Sequence, residues 1–218
     1  MKKQPTANIK KKYIKVILFS WIIFSLGISS ISILLYQISI DNLGQLPTFE
    51  ELENPKNFLA SEVLTADGYL LGKYYKHNRS PIPYEQLSPH LTHALIATED
   101  ARYRDHAGID INRLITATMF LGKRGGGSTI TQQLAKNLFH KKRLSTFKRI
   151  LQKLKEWIIA ARLERNYTKN EIITMYFNTV EYTGNAFGIK SATKTFFDKH
   201  PSQLKLEEAA VLVGMLKA

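Results

Sequence analysis

"SPHLTHALIATEDARYRDHAGID", residues 88 to 110, decides how the rest of the chain is read. Ser88 can cap a helix whose first position is Pro89, where the missing proline N–H costs nothing. Leu91, Ala94, Leu95 and Thr98 then recur at spacings that face a core. Glu99 ends the helix and Asp100 follows it, with an aromatic residue, His106 and Gly108 close behind. A carboxylate at the mouth of an apolar helix end is partly desolvated, which suits a general acid or base. As a bare pattern, however, Glu-Asp at a helix end is more often solvated surface, and His106 reads as a satisfied structural histidine. The segment alone leaves the choice open.

Working outward, helical periodicity continues almost without a break. It covers residues 130–139 and 147–166, a helix capped by the Thr168 and Glu171 box of "TKNE", and a last helix from Leu206. No repeat interrupts it, so residues 85–218 are expected to form one mainly α-helical domain. Upstream, "SEVLTADGYLLGKYY" holds two β-prone runs joined by Asp67-Gly68, a hairpin signal, and residues 41–84 read as a juxtamembrane linker plus that hairpin. Residues 1–15 form a basic tail with six lysines and no acid, and the 25 residues 16–40 carry no charge. A bilayer core takes about 20 residues of helix, so this span is expected to be an uncut transmembrane anchor. Lysines retained in the cytoplasm would place the rest of the chain outside, single-pass at the plasma membrane.

The chain of 218 residues is 44% hydrophobic, enough for one globular core. It has no cysteine, which excludes disulfides and thiolate sites. Lysine and arginine outnumber acids 31 to 18, a net charge of +13. That excess suits nucleic acid, anionic lipid or a phosphorylated substrate. Placement against a membrane selects the last two, and no nucleic-acid partner is expected.

A second polar cluster lies in "GKRGGGSTITQQLAKN", residues 122 to 137. Three glycines let the backbone approach a ligand closely, and Ser128, Thr129 and Thr131 bring hydroxyls to a helix start whose amides favour an anion. No Gly-Lys-Ser/Thr ends the loop, so it is not a phosphate-binding P-loop. Gln133, Lys136 and Asn137 share one helix face. In the third cluster, Leu151, Leu154, Ile158 and Ala161 are expected to bury, leaving Gln152, Lys153 and Glu156 elsewhere. Lys153 and Glu156 make either a surface pair or, if Glu156 turns into a cleft opposite Glu99, a carboxylate pair ringed by Lys136, Lys153 and Arg143. That second layout suits sugar transfer from a phosphate leaving group.

"EDARYRDHAGID", "GGGSTITQQLAKNLF", "QKLKE", "LERNYTKNEIITMYFN", "NAFGIKSATKTFF" and "LKLEEAAVLVGMLKA" follow one another in an order that resembles the peptidoglycan glycosyltransferases of glycosyltransferase family 51. These domains occur in class A penicillin-binding proteins and monofunctional transglycosylases. The resemblance implies a lysozyme-like, two-lobed α-helical fold on the outer membrane face, polymerising lipid II into glycan strands with release of undecaprenyl pyrophosphate. It also implies that Glu99 is the catalytic base and Glu156 the second catalytic carboxylate. Asp100, His106, Ser128, Thr129, Gln133, Lys136, Asn137, Arg143 and Lys153 would bind substrate. Mg2+ or Mn2+ would be the cofactor, with unassigned ligands, and other cell-wall synthesis proteins would be partners.

Three departures stand out: Tyr103 where the family usually has Phe, Gln152 where Arg commonly precedes Lys153, and a longer connection from Asn137 to Lys153. Arg143 and Arg149 are candidates to replace the missing charge. Alternative readings are a lysozyme-like glycan hydrolase and a non-catalytic wall-binding module. Residues 113–120, "RLITATMF", read as core by periodicity, with the membrane surface as the alternative. The family's domain usually continues past "GMLKA", so the sequence is expected to be a fragment of a longer protein. No Ser-x-x-Lys with its companion motifs points to a β-lactam-reactive serine.

Overall fold

The computed structural model describes residues 7–40, 46, 61–74, 81–120, 126–139, 146–183 and 186–216. The linker expected over 41–60 lies almost wholly outside them, as do Gly125 and Arg143. The chain divides into two compact units, residues 1–46 and 47–218.

The first unit is the helix α1, Ala7–Ser39, of 33 residues. Its stretch Tyr13–Ser39, 27 residues, is long and apolar enough to cross a bilayer. The stretch is apolar on every side, with Trp21 and Phe24 packed edge to face at 5.7 Å.

The second unit opens with a β-hairpin, β1 Ser61–Leu64 and β2 Leu70–Tyr74, with Ser61 opposite Tyr74. At its tip the Gly68 N–H donates to the Thr65 carbonyl at 3.0 Å. Gly68 takes φ +84, which explains the Asp-Gly signal. Among the described residues seven α-helices follow: α2 Pro89–Glu99, α3 Ile111–Met119, α4 Ile130–Phe139, α5 Thr146–Asn166, α6 Lys169–Thr179, α7 Ile189–Phe197 and α8 Leu206–Met215. Between α6 and α7 sits a two-stranded ribbon, β3 Glu181–Tyr182 and β4 Ala186–Phe187. The unit is a mainly α-helical, lysozyme-like domain.

Two packings position the site. Helix α2 lies against α8, and α4 lies against α5 and α6. Ser88 fixes the first: its hydroxyl accepts from the His90 N–H at 3.3 Å and donates to the Leu204 carbonyl at 3.0 Å, just before α8. Leu91 and Leu95 are fully buried, each contributing about 2 kcal/mol of apolar burial. For the second packing, α4 buries Ile130, Leu134 and Ala135, and α6 buries Ile172, Ile173, Tyr176 and Phe177. The Thr168–Glu171 capping box starts α6 where the sequence places it. The hydrogen bonds from Thr168 hold the Glu171 carboxyl below its ordinary range.

Three expectations about helix faces are corrected. On α2 the buried stripe is Leu91, Thr92, Leu95 and Glu99, while Thr98 is exposed. Glu99 continues the core stripe at i, i+4 and i+8, so it does not end a solvated turn. On α5, Leu151, Leu154 and Ile158 are only half-buried and Ala161 is exposed. The inward face is Glu156, Ile159, Ala160 and Leu163, and Gln152 and Lys153 of the same helix meet the carboxylate there. On α3 no residue is buried: Ile111, Ile115 and Met119 stand exposed at i, i+4 and i+8. The helix seats only its Leu114 and Ala117 side, near Gly127, so the core reading of this segment fails.

Candidate active site

The first cluster is organised around Asp100, whose side chain is fully buried. Its Oδ2 accepts from the Ile130 N–H at 3.1 Å, so it caps α4 from a distant part of the chain. The positive end of the α4 dipole favours that carboxylate. His106 Nε2 lies 3.2 and 3.1 Å from its two oxygens. Arg113 reaches to 3.7 Å of it while donating to the Glu99 carbonyl and, at 2.8 Å, to the Gly126 carbonyl. One arginine thus ties the end of α2 to the glycine loop.

Thr129 is buried and has no face toward solvent. Its hydroxyl donates to the Gly108 carbonyl at 2.6 Å and accepts from the Gln132 N–H at 3.2 Å. Gly108 has to be glycine: its φ is +85, and a Cβ there would lie 3.0 Å from the Ala160 carbonyl oxygen. Asp100, His106 and Thr129 therefore join the motifs to one another.

Glu99 is 8% exposed. Gln133 Nε2 donates to its Oε2 at 2.8 Å, and the Tyr176 hydroxyl donates to Gln133 Oε1 at 3.0 Å. Burial first, then the charge of Glu99, pushes the Tyr176 phenol well above its ordinary value, so it stays a neutral donor. Gln133 opens onto a cleft of about 380 Å³ lined also by Ser128, Lys136, Asn137, Lys153, Tyr176 and Glu181.

Glu156 sits beside Lys153, which lines that cleft. It is 3% exposed, and its oxygens accept from Gln152 Nε2 at 3.2 Å and Lys153 Nζ at 3.0 Å. Lys153 also donates to the Ser128 hydroxyl at 2.9 Å, linking α5 to the glycine loop. The departure at Gln152 thus leaves an amide donor on Glu156. Among the described residues, no carboxylate forms an ion pair with Lys136.

The departure at Tyr103 also has a partner. Its hydroxyl donates to the Lys169 carbonyl at 2.9 Å, and the Lys169 ammonium sits 4.4 Å from the ring centroid. Burial, then the charges of Glu164 and Asp100, push this phenol far above its ordinary value. Lys169 in turn reaches Glu164 at 2.7 Å and the His106 carbonyl at 2.6 Å, and Thr131 donates to Glu164 at 2.6 Å.

Sequence reasoning missed Arg113 and Tyr176. Arg113 carries no local signal, since its partners are 13 and 14 residues away. Tyr176 sits in the apolar stripe of α6, and only its hydroxyl hints at another role.

Asp100, His106 and Asp110 bring ligand-type atoms within 4.8 Å of one another. The trio does not fit Mg2+ or Mn2+. Arg113 lies beside Asp100, and Arg102 binds Asp110 at 2.8 Å, so guanidinium charge already occupies the place of a cation. Burial raises the Asp110 carboxyl, but the Arg113 N–H and the Arg102 guanidinium outweigh it and hold that group below its ordinary range.

A lysozyme-like helical domain with a buried glutamate beside a lysine-lined cleft defines a class, and the comparison with known families agrees. The transglycosylase family model matches residues 67–218, and the chain belongs to that family. Among curated proteins it is similar to penicillin-binding protein 1A of Escherichia coli K12, 37% identical over 178 residues, 80% of this chain and 20% of the relative. It is also similar to penicillin-binding protein 1F of Bacillus subtilis, 37% identical over 163 residues, 73% of this chain and 22% of the relative. The match to penicillin-binding protein 2a of Streptococcus pneumoniae is 40% over 131 residues, 60% of this chain and 17% of the relative. The chain thus spans about a fifth of the length of these relatives.

Proposed function

We propose that the chain is a membrane-anchored peptidoglycan glycosyltransferase that polymerises lipid II. The observation that carries this reading is Glu99, buried at the end of a core stripe and held at 2.8 Å by Gln133, which opens onto a cleft lined by Lys136 and Lys153. Glu99 takes the proton from the 4-hydroxyl of the acceptor's N-acetylglucosamine. That oxygen forms the new bond to the anomeric carbon of the lipid-linked N-acetylmuramic acid, and the bond from that carbon to the pyrophosphate oxygen breaks. Undecaprenyl pyrophosphate leaves with its charge met by Lys136 and Lys153. Glu156 and Ser128 hold Lys153 in place for this.

The apolar helix α1 anchors the chain in the plasma membrane, with its lysine-rich tail in the cytoplasm and the cleft on the outer face. The exposed Ile111, Ile115 and Met119 face of α3 supports a second contact with lipid. Other cell-wall synthesis proteins are partners in this reading.

Labelled lipid II supplied to the purified full chain in detergent tests it. Glycan polymer together with released undecaprenyl pyrophosphate is expected. Shortening of preformed glycan would instead make the protein a hydrolase, and neither product would leave a wall-binding module.

A further inference from the structure

We propose that Tyr176 is a positioning residue for the base, fixing which way the Gln133 amide faces. A glutamine amide can present either its oxygen or its NH2 to a neighbour. Only the NH2 helps an ionised Glu99; the oxygen would repel it. The Tyr176 hydroxyl lies 3.0 Å from Gln133 Oε1, and Gln133 Nε2 lies 2.8 Å from Glu99 Oε2. An ionised Glu99 can only accept, so it draws the NH2, and the Tyr176 phenol, donating to Oε1, holds the same orientation from the other side. The order donor, amide, carboxylate is thereby secured at its far end by one hydroxyl on α6. This inference rests on reading Glu99 as the base, and it names a residue that reading does not use.

The charged groups surrounding this line come from every neighbouring helix. Asp100 follows Glu99 on the α2 end, and Arg113 of α3 donates to the Glu99 carbonyl. Lys136 of α4 and Lys153 of α5 line the cleft, as does Glu181 beyond α6. Leu216, just after α8, also lines the cleft. Among the described residues, the side-chain partners of the Gln133 amide are Glu99 and Tyr176.

The test is Tyr176→Phe in the full chain, which keeps the buried ring and deletes the hydroxyl. Polymerisation of lipid II is measured across substrate concentrations, so that kcat and KM are read separately. With Gln133 free to turn, a bound acceptor meets a well-aligned Glu99 less often, so kcat falls while KM changes little. We expect kcat to fall about tenfold, the worth of one hydrogen bond to a charged group, and KM to change by about twofold or less. Gln133→Met removes the amide itself and should lower kcat at least as far. The double variant should then lose no more than Gln133→Met alone.

A loss confined to KM, no loss, or additive losses in the double variant would each overturn the proposal. A parent protein that makes no polymer is a separate result: it refutes the proposed function, and this inference falls with it.

Discussion

Replacing Lys153 with alanine should cost both stability and activity, and the structure sets the size of the first. The ammonium lies 3.0 Å from Glu156, whose side chain is 4% exposed, while the Lys153 side chain is 41% exposed. Removing one partner of a fully buried pair costs about 3–5 kcal/mol, because a carboxylate is stranded. Solvent already screens the lysine end, so about half of that, near 2 kcal/mol, is expected here. In a domain of this size that corresponds to a melting temperature lower by about 4–8 °C. Glu156 would retain only the Gln152 amide at 3.2 Å, and Ser128 would lose its tie to α5.

The double variant isolates the pair. Glu156→Gln alone should cost about 1 kcal/mol, since a neutral amide needs no cation. Lys153→Ala with Glu156→Gln should then cost about the same 1 kcal/mol, well short of the sum of the single changes. Thermal unfolding in detergent, followed by circular dichroism, reads all three, and lipid II polymerisation is assayed alongside. Activity should stay low in the double variant, because the pyrophosphate still lacks its lysine. An unchanged melting temperature in Lys153→Ala would refute the stranded-carboxylate argument. Restored activity in the double variant would remove Lys153 from the leaving-group role.

Glu99→Gln should lower polymerisation by about a thousandfold, the usual worth of a general base, with little change in melting temperature, because its amide oxygen can still accept from Gln133. Tyr103→Phe should cost about 1 kcal/mol in thermal unfolding through the bond to Lys169 and leave turnover near the parent rate. Asp110→Asn should flatten the acid limb of a stability-against-pH curve. The folded value of Asp110 is lowered, so its contribution is complete above the unfolded value of about 4 and is lost as pH falls through the folded one. Equal acid slopes for parent and variant would contradict this.

Much of the fold was legible because its signals are local. The α6 capping box, the Asp-Gly turn at φ +84 and the charge-free run inside α1 each depend on a few neighbouring residues. Helix faces were less legible, because a face is chosen by what packs against it. On α5 a regular apolar set lost to Glu156, Ile159, Ala160 and Leu163. A carboxylate on that face costs little once Lys153 and Gln152 meet it, and neither partner can be weighed by hydrophobicity alone.

The site divides along the same line. The resemblance singles out Glu99, Gln133, Lys136 and Lys153, and the structure brings Gln133 against Glu99 and Lys136 and Lys153 to one cleft. What the sequence does not reveal is the distribution of labour among them. Asp100, His106 and Thr129, substrate ligands by resemblance, also make structural bonds: Asp100 to Ile130 and His106, and Thr129 to Gly108. These bonds span up to 30 residues, and they make the end of α2 and the start of α4 move as one piece. A carboxylate on α2 and its amide partner on α4 can keep a 2.8 Å contact only if the two helices are locked in this way. The residues that do the locking are therefore as necessary to a well-placed Glu99 as the residues that face the cleft.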